Sequence, residues 1–309
     1  MADERKRRFL VLGRVGDKSL HKTWIADKSC ERTWDLQLNA YGKDNSLFQD
    51  GDLPTIFDYG TKFDSLVRHF KADPGLLDRY DYILIPDDDV IMEARDINRF
   101  FEIVVEHDLT VAQPAMAMES YFSHPMLLQC PQFKLRYSNF VESMAFCMKT
   151  SHFKRILPIW EIFKTGWGSD HIWALLMDDP GFHAAIVDEC KMIHTRPLYS
   201  GPLYKQLNAG RTDPNKELAM VKACFESIPP MLVYGGILKD GRRVSGTDAR
   251  LRSAAYIASH ALQMKRPVKA LRTSLGLVYR SVSMAGHHPR KLTPLPGSPL
   301  EHILEPSEQ

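Results

Sequence analysis

The stretch Tyr80–Met92 (Tyr-Asp-Tyr-Ile-Leu-Ile-Pro-Asp-Asp-Asp-Val-Ile-Met) constrains this chain more than any other. Its apolar run, Ile83-Leu84-Ile85, reads as a buried strand, and Pro86, with no N–H to donate, stops the ladder. Three carboxylates follow at once: Asp87, Asp88 and Asp89. In open α/β sheets, ligands bind beyond the carboxyl ends of strands. Asp87 and Asp89 are two residues apart, so they can point to the same side of an extended segment, where they repel each other unless a cation sits between them. A hard divalent ion shared with a diphosphate satisfies both. An isolated acidic triplet is as readily a solvated turn; the buried strand directly before this one favours a site.

Strand and helix patterns alternate around that stretch. Phe9–Leu12 and Trp34–Ala40 read as strands. Lys62–Lys71 reads as a helix with Phe63, Leu66, Val67 and Phe70 on one face, and Ala94–His107 as a helix with Ile97, Phe100, Phe101 and Val104 inward. Thr110–Ala112 is a short strand. From Gln113 to Tyr137 no period holds, which suits a binding loop or a folded-over cover for the core. Phe140–Met148 reads as a strand carrying Glu142, Ser151–Lys164 as a helix, Asp170–Met177 as a further helix capped by Ser169, and His183–Cys190 as a final strand before His194. This alternation predicts an α/β fold, a Rossmann-like and mostly parallel sheet covered by helices on both faces. Leu198–Tyr204 is punctuated by Pro and Gly and reads as a linker or closing loop.

At 309 residues, one large domain with a smaller appendage is expected. A net charge of +2 gives no general attraction to nucleic acid. No apolar run approaches the roughly 18 residues of a membrane span. The basic start leads into only a short apolar run, unlike a secretory signal, so a cytoplasmic protein is expected. Five dispersed cysteines, never in a Cys-x-x-Cys pair, suit a reducing compartment. From Ala249 to Leu300 there is no acidic residue but nine basic ones. Val268, Leu271, Leu275 and Val278 recur there at helical spacing, so 265–291 reads either as an ordinary packing helix or as a peripheral contact with an anionic membrane, at its inner face. The tail from His287 is Pro-rich and expected to be loose.

A strand ending in Asp-Asp-Asp, a Gly166-Trp-Gly-Ser-Asp-His171 turn opening a helix, and a strand followed by a lone His make an ordered set. It resembles the nucleotide-sugar-dependent glycosyltransferases of the GT-A fold. The likeness is close to an uncharacterised domain family of plants and bacteria, domain of unknown function 707. Asn139-Phe-Val-Glu142, Trp167-Gly-Ser-Asp170, His194-Thr-Arg-Pro197 and Gly201-Pro-Leu-Tyr204 look like that family's pattern. The resemblance covers about residues 8 to 205. It implies a catalytic domain over 1–205 and a basic, partly helical extension over 206–309.

The resemblance implies that Asp87 and Asp89 hold Mn2+ or Mg2+ on the donor diphosphate, with His194 as third ligand. Imidazole suits manganese better than magnesium. Asp88 would touch the donor's ribose or sugar. Arg14, Asp58 and Lys62 occupy positions where such folds contact the nucleotide. Asp170 is the candidate general base of an inverting reaction, since a carboxylate within hydrogen-bond reach of an acceptor hydroxyl can take its proton. Trp167, Glu142 and His171 fall on the acceptor side. The implied partners are a nucleoside-diphosphate sugar, a UDP-sugar as first guess, and a glycan or lipid-linked acceptor. Two competing readings are a magnesium-dependent phosphohydrolase with an aspartyl nucleophile and a non-catalytic sugar-nucleotide or carbohydrate-binding protein. The phosphohydrolase pattern usually has Thr or Val where this chain has Ile91.

Overall fold

The computed structural model describes residues 7–197, 200 and 213–303. Eleven strands are present among them: β1 (Phe9–Val15), β2 (Trp34–Ala40), β3 (Ile56–Phe57), β4 (Tyr82–Pro86), β5 (Val90–Ile91), β6 (Val111–Met116), β7 (Phe133–Ser138), β8 (Ala145–Lys149), β9 (Ala184–His194), β10 (Val233–Leu238) and β11 (Arg243–Ser245). The α-helices are α1 (Lys62–Ala72), α2 (Ala94–Glu106), α3 (Thr150–Ile156), α4 (Ile159–Ile162), α5 (Pro214–Ala223), α6 (Gly246–His260) and α7 (Pro267–Ser283). The strands join in the order β11-β10-β7-β9-β6-β8-β4-β1-β2-β3, and β5 adds a short pairing to the end of β9.

The fold is α/β, with helices covering both faces of this sheet. Alternation along β1 and β4 explains the two layers. Val11 and Leu84 face the cluster that takes Ile97, Phe100, Phe101 and Val104 of α2. Leu10, Leu12, Ile83 and Ile85 face the opposite cluster, which takes Phe63, Leu66, Val67 and Phe70 of α1. Thr61 caps α1 by accepting from the Asp64 amide.

The sheet is mixed rather than mostly parallel. Pairing is parallel through β3, β2, β1 and β4, whereas β4–β8, β8–β6, β7–β9 and β10–β7 are antiparallel. The irregular stretch 113–137 conceals the outer half of β6 and the start of β7. The strand expected from Phe140 begins only at Ala145, so Glu142 lies in the loop before β8. The helix expected over Ser151–Lys164 breaks at Pro158, which has no N–H to continue it. Asp170–Met177 forms two 3₁₀ turns, Ser169–His171 and Trp173–Leu175, in place of the expected helix.

The segment expected as an extension is built onto the same sheet, through β10 and β11, and its boundary near 205 lies outside the described residues, as do Gly201–Tyr204 and Leu198–Tyr199. The tail after His287 is tied down. The Leu292 amide donates to the Leu175 carbonyl and the Leu295 amide to that of Cys224, both at 2.8 Å, and Leu300 is fully buried. No described helix is long and apolar enough to cross a membrane.

Candidate active site

The aspartate triplet sits where β4 ends, and backbone bonds fix each residue of it. The Asp87 amide donates to the Met144 carbonyl at 2.8 Å, and the Leu20 amide to the Asp88 carbonyl at 2.7 Å. The Asp89 carbonyl accepts from the Thr195 amide at 3.0 Å and its hydroxyl at 2.9 Å. Pairing of β5 with β9 sets Val90 opposite His194, which carries the imidazole to the triplet from about a hundred residues away. His194 is therefore the last residue of β9, not a residue after it. A cavity of about 490 Å³ opens here, and every site residue expected from the sequence lines it except Asp58.

His194 carries the argument about a cation. Its Nδ1 lies 2.6 Å from the Tyr121 carbonyl, which can only accept, so Nδ1 bears the proton. Its Nε2 then faces Asp89 Oδ2 at 3.3 Å. In the neutral ring both of those atoms are acceptors, and two acceptors facing each other need a proton or a cation between them. Burial lowers the imidazole pKa, but hydrogen bonding to Asp89 and its charge outweigh that and leave it raised. Burial likewise pushes Asp89 up, and His194 and Arg196 bring it below its usual value.

Asp87 differs. Its Oδ1 accepts from Lys62 Nζ at 2.7 Å, and 41% of its side chain is reachable from the cleft. Enclosure by the cleft walls raises its carboxyl, Lys62 opposes that, and Asp89 adds to it. Among the described residues no three His, Cys or carboxylate side chains already form a metal cage. The donor set of two carboxylates and an imidazole whose Nε2 points at Asp89 nevertheless fits a divalent ion, which would take the place of the proton between them.

The donor side departs from expectation in three places. Asp88 is buried, and its carboxylate is already engaged: Oδ2 accepts from the Gly16 amide at 3.1 Å and from the Tyr41 hydroxyl at 2.5 Å, and Oδ1 from Arg196 at 2.9 Å. It positions Tyr41 and Arg196, both of which line the cavity. Lys62 Nζ is held by Asp87 and by the carbonyls of Ser143 at 2.8 Å and Ile85 at 3.2 Å, so it serves the floor of the cleft and is not a free phosphate partner. Asp58 lies outside the cavity, paired with Arg68 at 2.7 Å. Arg14 lines the cavity, anchored by Asn39 and the Gly60 carbonyl, and its pKa falls to about 10 through burial.

On the side where the sequence places the acceptor, Gly166 (φ 69°) and Gly168 (φ 98°) turn the chain sharply around Trp167. Glu217 of α5 grips this turn from behind. Its carboxylate accepts from the Thr165 hydroxyl at 2.5 Å and from the Thr165 and Trp167 amides at 3.1 Å. Asp170 follows the turn, and burial raises its carboxyl to about 7 despite nearby backbone amides, including those of Ser143 and His171. Glu142 is also raised to about 7, first by burial and then by the charge of Asp170. Its Oε2 is buried without a hydrogen-bond partner among the described residues. His171 packs edge-on against Phe140 at 5.4 Å.

Residues 66–163 match the model of a family described as "Protein of unknown function (DUF707)". This is the domain family that the sequence motifs resemble. The matched stretch holds the aspartate triplet and Glu142, while Arg14, Lys62, Trp167, Asp170 and His194 lie outside it. No curated protein matches the chain in sequence. Among solved structures, the chain is similar to residues 1–349 of S. aureus TarS in complex with UDP-GlcNAc, at 11% identity and a TM-score of 0.49, covering 89% of this chain and 81% of that one. It is also similar to GalNAc-T7 with UDP, GalNAc and Mn2+, at 9% identity and a TM-score of 0.49, covering 89% of this chain and 56% of that one.

Sequence reasoning missed Tyr41, His124, Arg196, Glu217 and Lys269. Arg196 sat within the His-Thr-Arg-Pro motif and was open to notice. Glu217 carried no local signal, because its partners lie about fifty residues away.

Proposed function

We propose that this chain is a metal-dependent glycosyltransferase of the GT-A type. It moves a sugar from a nucleoside-diphosphate sugar, a UDP-sugar as first candidate, to a hydroxyl of a glycan or lipid-linked acceptor, with inversion. The observation that carries this is Asp89 Oδ2 facing Nε2 of His194 at 3.3 Å in the same cavity as Asp170. Asp87, Asp89 and His194 would hold manganese or magnesium. When bound, that ion supplies Lewis-acid stabilisation of the charge on the departing diphosphate.

The chain's own residues do the rest. Arg14 and Arg196 put positive charge on the donor side, where developing negative charge is stabilised by fixed cations. Asp170, with its carboxyl near 7, is ionised in a useful fraction at neutral pH and takes the proton of the attacking hydroxyl. Trp167 lines the cavity with Asp170 and would contact the acceptor sugar. The reading also puts 265–291 against an anionic membrane surface. Support comes from α7, which leaves Val268, Leu275, Tyr279 and Val282 more than 60% exposed beside its cations.

Thermal shift tests the donor half. UDP with manganese should raise the melting temperature of the wild type, UDP with EDTA should not, and Asp89→Ala should lose the manganese-dependent part. A response to UDP that is equal with manganese and with EDTA contradicts the reading. Sedimentation with phosphatidylglycerol vesicles tests the membrane contact, and Leu275→Asp should weaken it; sedimentation unchanged by that substitution contradicts it.

A further inference from the structure

A second cavity, of about 820 Å³, opens beside the first, and Ser123, His124 and Lys269 line both. One wall of it is α7. Arg266, Lys269, Arg272 and Arg280 all line this groove, and among the described residues no carboxylate does. Arg280 is fixed in place by donating to the Met231 carbonyl at 2.8 Å. None of the four makes an ion pair among the described residues. Four cations gathered on one wall, against the single carboxylate of Glu142 that acts on Lys269 from the first cavity, repel one another, so an anion bound there removes a standing cost.

The shape of α7 supports the same conclusion. Ala270, Ser274, Leu277 and Ser281 are buried against the core, so Lys269, Arg272, Gly276 and Arg280, at spacings of three and four, occupy a separate face on the groove. Gly276 stands inside a 17-residue helix, where glycine weakens the helix. A Cβ there would meet nothing within 4 Å, so packing does not require the glycine. Its lack of a side chain keeps the groove open.

We propose that this groove is an anion subsite for the acceptor. On the glycosyltransferase reading, which it rests on and deepens, the acceptor carries a phosphate or diphosphate bound by Arg266, Lys269, Arg272 and Arg280. Its hydroxyl reaches Asp170 past the shared wall at Ser123, His124 and Lys269. Guanidinium forks match phosphate oxygens in pairs, and four cations exceed what a single carboxylate neutralises. A lipid-linked phosphate and a soluble phosphorylated glycan share this chemistry.

The test uses the full chain in EDTA, with two probes. Inorganic pyrophosphate is titrated calorimetrically, and vesicles of phosphatidylglycerol are compared with phosphatidylcholine by sedimentation, both on a Leu275→Asp background that removes the apolar membrane contact proposed for α7. At least one probe should bind, and both Arg272→Glu and Gly276→Trp should weaken it about tenfold or more, while Arg196→Ala on the donor side keeps it. Loss of pyrophosphate binding in the two variants means that a soluble phosphate suffices, and loss of phosphatidylglycerol binding alone means that the phosphate is lipid-borne. No binding of either probe, binding that survives both variants, or binding lost in Arg196→Ala overturns the proposal. Gly276→Trp fills open space, so its folding is not at stake when Arg272→Glu is judged. Neither probe needs the metal or the donor, so failure here leaves the transferase reading standing, and failure of donor binding leaves this subsite to its own result.

Discussion

Asp170 joins chemistry to a cost in stability. Its carboxyl ionises near 7 in the fold and near 3.8 in an unfolded chain, so the folded state holds the proton more tightly. Stability is therefore lost as pH rises from about 4 to about 7, while the ionised form that the proposed base requires becomes available over the upper part of the same window. Asp170→Asn should melt above the wild type at pH 8, with the gap shrinking toward pH 4; a scanning calorimeter checks this. The same variant should lower turnover by about 10²–10⁴-fold with little change in donor KM. Wild-type turnover should rise with pH through a midpoint near 7. At this scale the sequence was informative where chemistry is dense. The triplet, Glu142, Asp170 and His194 stand out as acids and imidazole beside buried strands. Lys62 and Asp58 were misread because a cation or carboxylate near a site looks the same in sequence whether it faces ligand or neighbour. Only the fold shows Lys62 turned onto Asp87 and Asp58 onto Arg68.

At the scale of elements, the turn Thr165–Gly168 depends on an acid from another helix. Glu217→Gln keeps a similar shape but weakens the two amide contacts at 3.1 Å. It should raise acceptor KM several-fold while leaving manganese-dependent UDP binding unchanged, as steady-state kinetics and titration can show. Gly166→Ala should destabilise the protein by about 1 kcal/mol or more, since the φ of 69° disfavours a side chain and a Cβ would lie 2.1 Å from the Phe63 ring. Chemical denaturation reads this directly. Long amphipathic elements such as α1 and α2 were legible from their period. β7 alternates Phe133, Leu135 and Tyr137 with Lys134, Arg136 and Ser138, but the irregular run before it masks that pattern, and nothing in the pattern shows that Arg136 is fully buried. The two 3₁₀ turns after Gly168 have the composition of a short helix and differ only in hydrogen-bond reach.

For the whole molecule, the deepest electrostatic commitment is Arg136 with Asp188. Both side chains have no exposed surface, and Arg136 also donates to the carbonyls of Met126 at 2.8 Å and Leu128 at 2.7 Å. Arg136→Met leaves Asp188 buried without its partner and should cost about 3–5 kcal/mol by denaturant titration. The α/β class was readable from the alternation of elements, but the strand order was not. Which strands pair is decided by contacts far apart in sequence, such as Leu84 with Cys147 or Tyr137 with Ala185. The strands β3, β2, β1 and β4 form one parallel run, whereas the rest of the sheet is built from strands after β4 in the chain and pairs antiparallel except for the parallel pair β6–β9.

On the proposed reading, Asp87, Asp89 and His194 hold a divalent ion on the donor diphosphate while Asp170 takes the acceptor's proton. Release of nucleoside diphosphate from a panel of sugar nucleotides, with manganese and with EDTA, tests it most directly. The account predicts manganese-dependent release from the wild type, abolished in Asp89→Ala and cut about 10²-fold or more in Asp170→Asn. Full metal-dependent release by Asp89→Ala, or release of inorganic phosphate from simple phosphomonoesters with no cleavage of any sugar nucleotide, would contradict it.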